Sequence, residues 1–172
     1  PLPDGILARL GSNRFRHGSP VYAMEFSNDD QRLYTGSNDG TLRCSAFPSG
    51  KILWSVTMPN VAVNGFEAVV AIAISADDNL LAVSAMNDTT VLYDARTGKE
   101  LKRMGDKRDR SSWLGFSSDG KSLFAMTTTQ ATSVREYDLA TGETISKQDI
   151  QDCFDEAANM RNIHFAIGRM QD

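Results

Sequence analysis

The stretch Val21-Tyr-Ala-Met-Glu-Phe26-Ser27-Asn-Asp-Asp30 returns twice further along the chain. It reappears as Val70-Ala-Ile-Ala-Ile74-Ser75-Ala-Asp-Asp78 and as Trp113-Leu-Gly-Phe116-Ser117-Ser-Asp-Gly120. The residues after each copy repeat as well. Leu33-Tyr-Thr-Gly, Asn38-Asp39-Gly40-Thr41 and Pro48-Ser-Gly50-Lys51 come after the first. After the second come Leu80-Leu-Ala-Val-Ser84, Asn87-Asp88-Thr89-Thr90, Tyr93-Asp94 and Thr97-Gly98-Lys99. Leu123-Phe-Ala-Met126, Val134-Arg-Glu-Tyr137-Asp138 and Thr141-Gly142-Glu143 come after the third. Phe26 and Ile74 are 48 residues apart, Ile74 and Phe116 are 42, and Gly50, Gly98 and Gly142 are spaced by 48 and 44. A period of about 40–45 residues is that of a four-stranded propeller blade.

The chemistry within each repeat reads as strands and hairpin turns. Ala71, Ala73 and Ser75 alternate with Ile72 and Ile74, the period of a strand. The Ser-Asp-Asp and Ser-Asp-Gly clusters supply side chains that bond nearby backbone and residues that tolerate positive φ. Second strands are expected at Leu33, Leu80 and Leu123. Third strands are expected over Thr41–Ala46, Thr90–Asp94 and Ser133–Asp138, and fourth strands near Lys51–Val56, Lys99–Arg103 and Glu143–Lys147. Phe26, Ile74 and Phe116 are expected to be equivalent buried positions. The chain is thus read as all-β, a partial β-propeller of about three four-stranded antiparallel blades.

The chain divides accordingly. Residues 1–18 are a lead-in segment with an outer strand, 19–60 the first blade, 61–108 the second and 109–150 the third. Residues 151–172 read as a linker helix, with Ile150, Phe154, Ala157 and Ala158 inward, and then the start of a further blade at Ile163, Phe165 and Ile167. Propellers close with about 4–8 blades. Three blades therefore point to a part of a longer propeller, with a chain that closes by self-association as the second reading.

Composition is that of an ordinary globular chain. Among 172 residues, Lys and Arg number 18 and Asp and Glu 22, for a net charge of −4, with 41% hydrophobic and 23% charged residues. The negative sign argues against a surface built for nucleic acid. No apolar run approaches the roughly 20 residues of a membrane helix, so neither nucleic acid nor membrane is expected as a partner. Pro1 in place of Met reads as a processed or cut chain, which leaves export open beside a favoured cytoplasmic location. Cys44 and Cys153, with His17 and His164 far apart in sequence, make a poor metal set and read as unpaired thiols.

These repeats resemble the WD-repeat β-propellers, in the bacterial form where Tyr-Asp or another pair often stands in for Trp-Asp. The resemblance covers about Phe15 to Ile150. The opening Pro1-Leu-Pro-Asp-Gly-Ile-Leu-Ala-Arg-Leu-Gly11, followed by Arg14-Phe-Arg-His17-Gly18, is similar to the lead-in of large bacterial members. The resemblance implies a network within each blade. It joins an Asp in the turn between strands two and three to a His before strand one, a Ser or Thr on strand two and a Trp on strand three. Blade one offers Asp39, His17 and Thr35, with Ser45 or Cys44 at the Trp position. Blade two offers Asp88, Ser84 and Tyr93 and has no matching His. In blade three stand Thr127 and Tyr137, with Gln130 or Ala131 in place of the Asp.

The resemblance implies a non-enzymatic scaffold for protein–protein interaction without cofactor or metal. The alternative is part of a quinoprotein-like or lactonase-like propeller enzyme with its site at the central channel. The residues favour the scaffold. There is no Gly-x-Ser-x-Gly elbow and no phosphate loop, and no catalytic residue is assigned. His17 reads as a structural partner of Asp39. Asp29–Asp30 and Asp77–Asp78 read as turn residues, since the ligand spacing of a calcium loop is missing. The basic cluster Lys102, Arg103, Lys107, Arg108 and Arg110 is the candidate partner contact, read against a plain solvated loop. Nothing in the residues names the partner.

Overall fold

The computed structural model describes residues 14–58, 68–86, 89–105, 111–127 and 132–150. These residues contain strands and turns and no helix. Three sheets succeed one another, each an antiparallel meander of four strands in chain order. The first holds β1 (Val21–Phe26), β2 (Arg32–Ser37), β3 (Thr41–Ala46) and β4 (Lys51–Thr57). The second holds β5 (Val69–Ile74), β6 (Leu80–Ala85), β7 (Thr90–Asp94) and β8 (Glu100–Met104). The third holds β9 (Ser111–Phe116), β10 (Ser122–Thr127), β11 (Ser133–Asp138) and β12 (Thr144–Asp149). Phe26 pairs with Leu33, Ile74 with Leu81 and Phe116 with Leu123, so the sheets share one register, and Leu81 is the true counterpart of Leu33 and Leu123.

The turns explain why the sequence breaks where it does. Between strands one and two, Ser27, Ser75 and Ser117 donate to Asp29, Asp77 and Asp119 at 2.6, 2.6 and 2.7 Å. Each carboxylate also takes a backbone N–H two residues on, from Gln31, Asn79 and Lys121. The residue after each of these Asp has positive φ: 56° at Asp30, 58° at Asp78 and 68° at Gly120. Asp and Gly tolerate that left-handed region better than other residues. Between strands three and four, Asp94 accepts from Arg96 N, Thr97 N and Thr97 Oγ1, and Asp138 from Thr141 N. The first sheet makes this turn differently, through a cis Phe47–Pro48 bond.

Two apolar clusters hold the sheets face to face. Tyr34, Leu42, Cys44 and Met58 of the first sheet and its flank meet Val69, Ile72, Leu81, Val83, Val91 and Tyr93 of the second. On the other side of the second sheet, Ala71, Ala73, Ala82, Leu92 and Met104 meet Leu114, Leu123, Ala125 and Tyr137 of the third. Gly36 allows the first approach to be close, because a Cβ there would collide with the Val69 side chain. Polar ties span the same gaps. Tyr34 Oη and Trp54 Nε1 both donate to the Ala95 carbonyl, at 3.2 and 3.1 Å, and Asn28 N and Nδ2 both donate to Asp78.

The structure corrects one burial expectation. Phe26 is 39% exposed, and Ile74 and Phe116 are half-buried. Their strand-two partners Leu33, Leu81 and Leu123 are the buried ones. Phe26 faces away from the second sheet and packs edge-on against Phe47 at 5.1 Å. Several expectations lie outside the described residues: the segment before Arg14, Asp88, Lys107, Arg108, Arg110, Gln130, Ala131, Cys153, His164 and the tail 151–172.

Candidate functional site

The first strands β1, β5 and β9 lie side by side and border an open groove of about 610 Å³. Its lining includes Tyr22, Met24, Glu25, Val70, Ile72 and Trp113. Each of these strands carries a bulge at the same place. The register steps from Val21 to Ala23, from Val69 to Ala71, and from Ser111 to Trp113 opposite Met126 and Thr127. The extra residues are Tyr22, Val70 and Ser112, and all three line the groove. A bulge re-aims a side chain that regular pleating would send elsewhere. Glu25 is the one charged side chain in this lining, and burial raises its pKa.

The fourth strands are bulged as well, again at one shared position. The step falls between Trp54 and Ile52, between Lys102 and Glu100, and between Ser146 and Thr144. Leu53, Leu101 and Ile145 are therefore left without a cross-strand partner and are 47, 48 and 56% exposed. Each blade thus shows an aliphatic side chain on its outer rim. The sequence held a signal for this, since each residue stands three positions after the turn glycine Gly50, Gly98 or Gly142.

In the first sheet, His17 Nε2 and Thr35 Oγ1 share a hydrogen bond of 2.7 Å. Ser37 Oγ donates to Asp39 Oδ1, and Thr41 N donates to the same oxygen at 3.0 Å. Burial pushes the Asp39 pKa up. The hydrogen bonds of Ser37 and Thr41 and the charge of His17 outweigh it and bring the pKa to about 2. Burial lowers the His17 pKa, as does nearby Arg43, while Asp39 opposes them. His17 Nδ1 is buried with no hydrogen-bond partner among the described residues, so the imidazole meets Asp39 through charge and Thr35 through a bond.

The remaining network residues separate by face. Register makes Val83 and Ala125 the counterparts of Thr35, while Ser84 is the counterpart of Gly36. Ser84 therefore turns to the third sheet, where its Oγ accepts from Ser111 N at 3.1 Å. The Trp position of the first blade is Ser45, level with Tyr93 and Tyr137; Cys44 faces the second sheet. Burial pushes the Cys44 thiol up to about 11, which leaves it an unreactive thiol. Tyr93 Oη donates to Met58 Sδ at 2.9 Å, and Tyr137 packs its hydroxyl over Gly105. Each phenol thus reaches the end of the preceding blade's fourth strand.

Of the basic cluster, the two described members are engaged within the chain. Lys102 Nζ donates to the Leu139 and Ala140 carbonyls, and Arg103 forms a two-pronged pair with Glu100 at 2.8 and 2.9 Å. Lys102 thus ties the second sheet to the third, whereas the Arg103–Glu100 pair stays within β8.

Comparison with known proteins agrees with this architecture. The family model "WD domain, G-beta repeat" matches residues 12–44. The guanine nucleotide-binding protein subunit beta of Arabidopsis thaliana is 34% identical over 112 residues, which is 62% of this chain and 29% of that protein. Its counterpart in Oryza sativa subsp. japonica is 30% identical over 123 residues, 69% of this chain and 32% of that protein. The chain thus spans about a third of the length of these relatives. Among solved structures, U3-55K superposes with a TM-score of 0.68 at 19% identity, covering 78% of this chain and 40% of that one. The RRP9 WD40 repeats superpose with a TM-score of 0.67 at 20% identity, covering 78% and 41%. The repeated motif and three blade-like sheets, which superpose on WD40 structures, give the chain the all-β fold of a β-propeller, with a WD repeat matched at residues 12–44.

Proposed function

We propose that the chain is a non-enzymatic scaffold whose rigid blades present side chains to protein partners. The observation that carries this is the row of Leu53, Leu101 and Ile145, placed by the same bulge on three successive outer strands and left exposed. Fourth-strand bulges blunt each blade edge against indiscriminate strand pairing, while the aliphatic side chains supply apolar contact area. The relatives are named as subunits of a larger protein, which supports the reading. A channel enzyme would need several convergent acid–base groups, whereas the described groove lining offers Glu25 alone.

The division into blades at 19–60, 61–108 and 109–150, and completion by further blades or by self-association, belong to the same proposal. So does the structural role of His17, Thr35 and Asp39. The bacterial form of the family rests on Tyr93-Asp94, Tyr137-Asp138 and the lead-in segment, whereas the Arabidopsis and Oryza relatives are plant proteins. The test is proximity labelling and cross-linking of the whole protein in its host, with Leu53→Glu/Leu101→Glu beside the unmodified chain. Loss of specific cross-links at the rim supports the proposal. An unchanged set of cross-linked partners, with the fold intact by circular dichroism, refutes the rim as the contact.

A further inference from the structure

Glu25 stands in an unusual setting. It is half-buried, it lies in a groove otherwise lined by apolar and neutral side chains, and among the described residues no hydrogen bond or ion pair engages it. Its counterparts by register are Ala73 and Gly115, so the carboxylate is specific to the first blade. A partly desolvated carboxylate without a partner is unfavourable, and an incoming cation relieves it. The surroundings suit a cation that arrives on an apolar stem. Met24, Val70 and Ile72 offer aliphatic contact, and Tyr22 and Trp113 add aromatic faces in the same lining. Long basic side chains bury their methylenes against such surfaces and keep the charge at the tip, and aromatic faces attract that charge.

We infer that the groove along β1, β5 and β9 is a binding site for the side chain of a lysine or arginine on a partner polypeptide, with Glu25 as its counter-charge. Charge complementarity selects this occupant. A neutral apolar segment would bury the carboxylate without compensation, and an acidic one would be repelled by it. A single carboxylate is too few ligands for a divalent cation. The site is separate from the outer rim, so either can fail without the other.

The test is titration of the full chain, followed by NMR, with the peptide Ac-Ala-Ala-Lys-Ala-Ala-NH2, its arginine version and its norleucine version. The lysine and arginine peptides are expected to shift the Trp113 indole and Glu25 carboxyl signals and to bind about tenfold more tightly than the norleucine peptide, which lacks only the charge. Glu25→Gln, which keeps the side-chain volume, should abolish that preference. The inference is overturned if norleucine binds as well as lysine, or if the preference survives in Glu25→Gln. It is equally overturned if neither signal moves at about 10 mM peptide. The peptide comparison on the unmodified chain does not depend on how any variant folds.

Discussion

Asp39 shows how a single carboxylate can serve several donors. It accepts from the buried Ser37 hydroxyl and from the Thr41 amide and lies in the field of His17. Asp39→Ala leaves Ser37 without its acceptor, and a buried polar group left unpaired costs about 1–3 kcal/mol. Denaturant unfolding should show a loss of that order, with the rim contacts unchanged. The two titrating groups act in different pH windows. Asp39 has a folded pKa of about 2, below its ordinary value of 3.8, so its contribution is present above 3.8 and fades as pH falls toward 2. The His17 pKa is also lowered, but for a base the charged form is the disfavoured one. Below the ordinary value of 6.5 the unfolded chain takes up the proton first, so stability falls as pH drops from there to the lowered folded value. Melting temperature should decline as pH falls below 6.5, and His17→Gln should flatten that decline. Glu25 has the opposite sign to Asp39. Burial raises its folded pKa, so it opposes folding at neutral pH, and Glu25→Gln should keep or raise the melting temperature there.

Within each sheet, the first and fourth strands are bulged and the second and third pair regularly. The second and third strands are buried along most of their length, and the bulged fourth strands carry the exposed aliphatic positions. Substitutions should divide accordingly. Leu53→Ser and Leu101→Ser sit on exposed bulges and should shift stability by no more than about 0.5 kcal/mol. Gly36→Ala should behave otherwise. Its new methyl would enter the space of Val69, forcing β2 and β5 apart, and overpacking of this kind costs about 1–3 kcal/mol. Urea midpoints for these three variants would distinguish display from packing, and an unaffected Gly36→Ala would mean that the two strands yield more readily than their contact implies.

Among the described residues, the second sheet alone is covered on both faces. Leu81 and Val83 of β6 are fully buried, whereas every residue of β12 is exposed. Hydrogen exchange should therefore be slowest in β6 and fastest in β12. The outward face of the first sheet carries Phe26 and Phe47, 39% and 40% exposed and packed edge-on. Contiguous apolar surface of this kind promotes association, so the isolated 172 residues should self-associate at tens of micromolar. Sedimentation velocity decides it; a compact monomer at that concentration would show the exposed face to be tolerated in water.

The repeat, the strand order and the turns were readable from the residues alone, because they rest on local chemistry. Ser27, Ser75 and Ser117 bond the Asp two positions on, and Asp30, Asp78 and Gly120 accept the same left-handed φ, whatever else the chain does. The third strands lie over Thr41–Ala46, Thr90–Asp94 and Ser133–Asp138, where the repeat puts them. Which face a side chain takes was decided elsewhere. Neighbouring residues on a strand point to opposite faces, so Ser84, one position from the true counterpart of Thr35, faces the third sheet and accepts from Ser111 N. Bulges shift that parity again, turning Tyr22 to the groove and Leu53, Leu101 and Ile145 to the rim. Glu25 reads in sequence as an ordinary polar residue on an alternating strand. Only the assembly of three first strands around one groove leaves it half-buried and, among the described residues, unpaired, since burial is a property of neighbours brought together from 48 and 90 residues away.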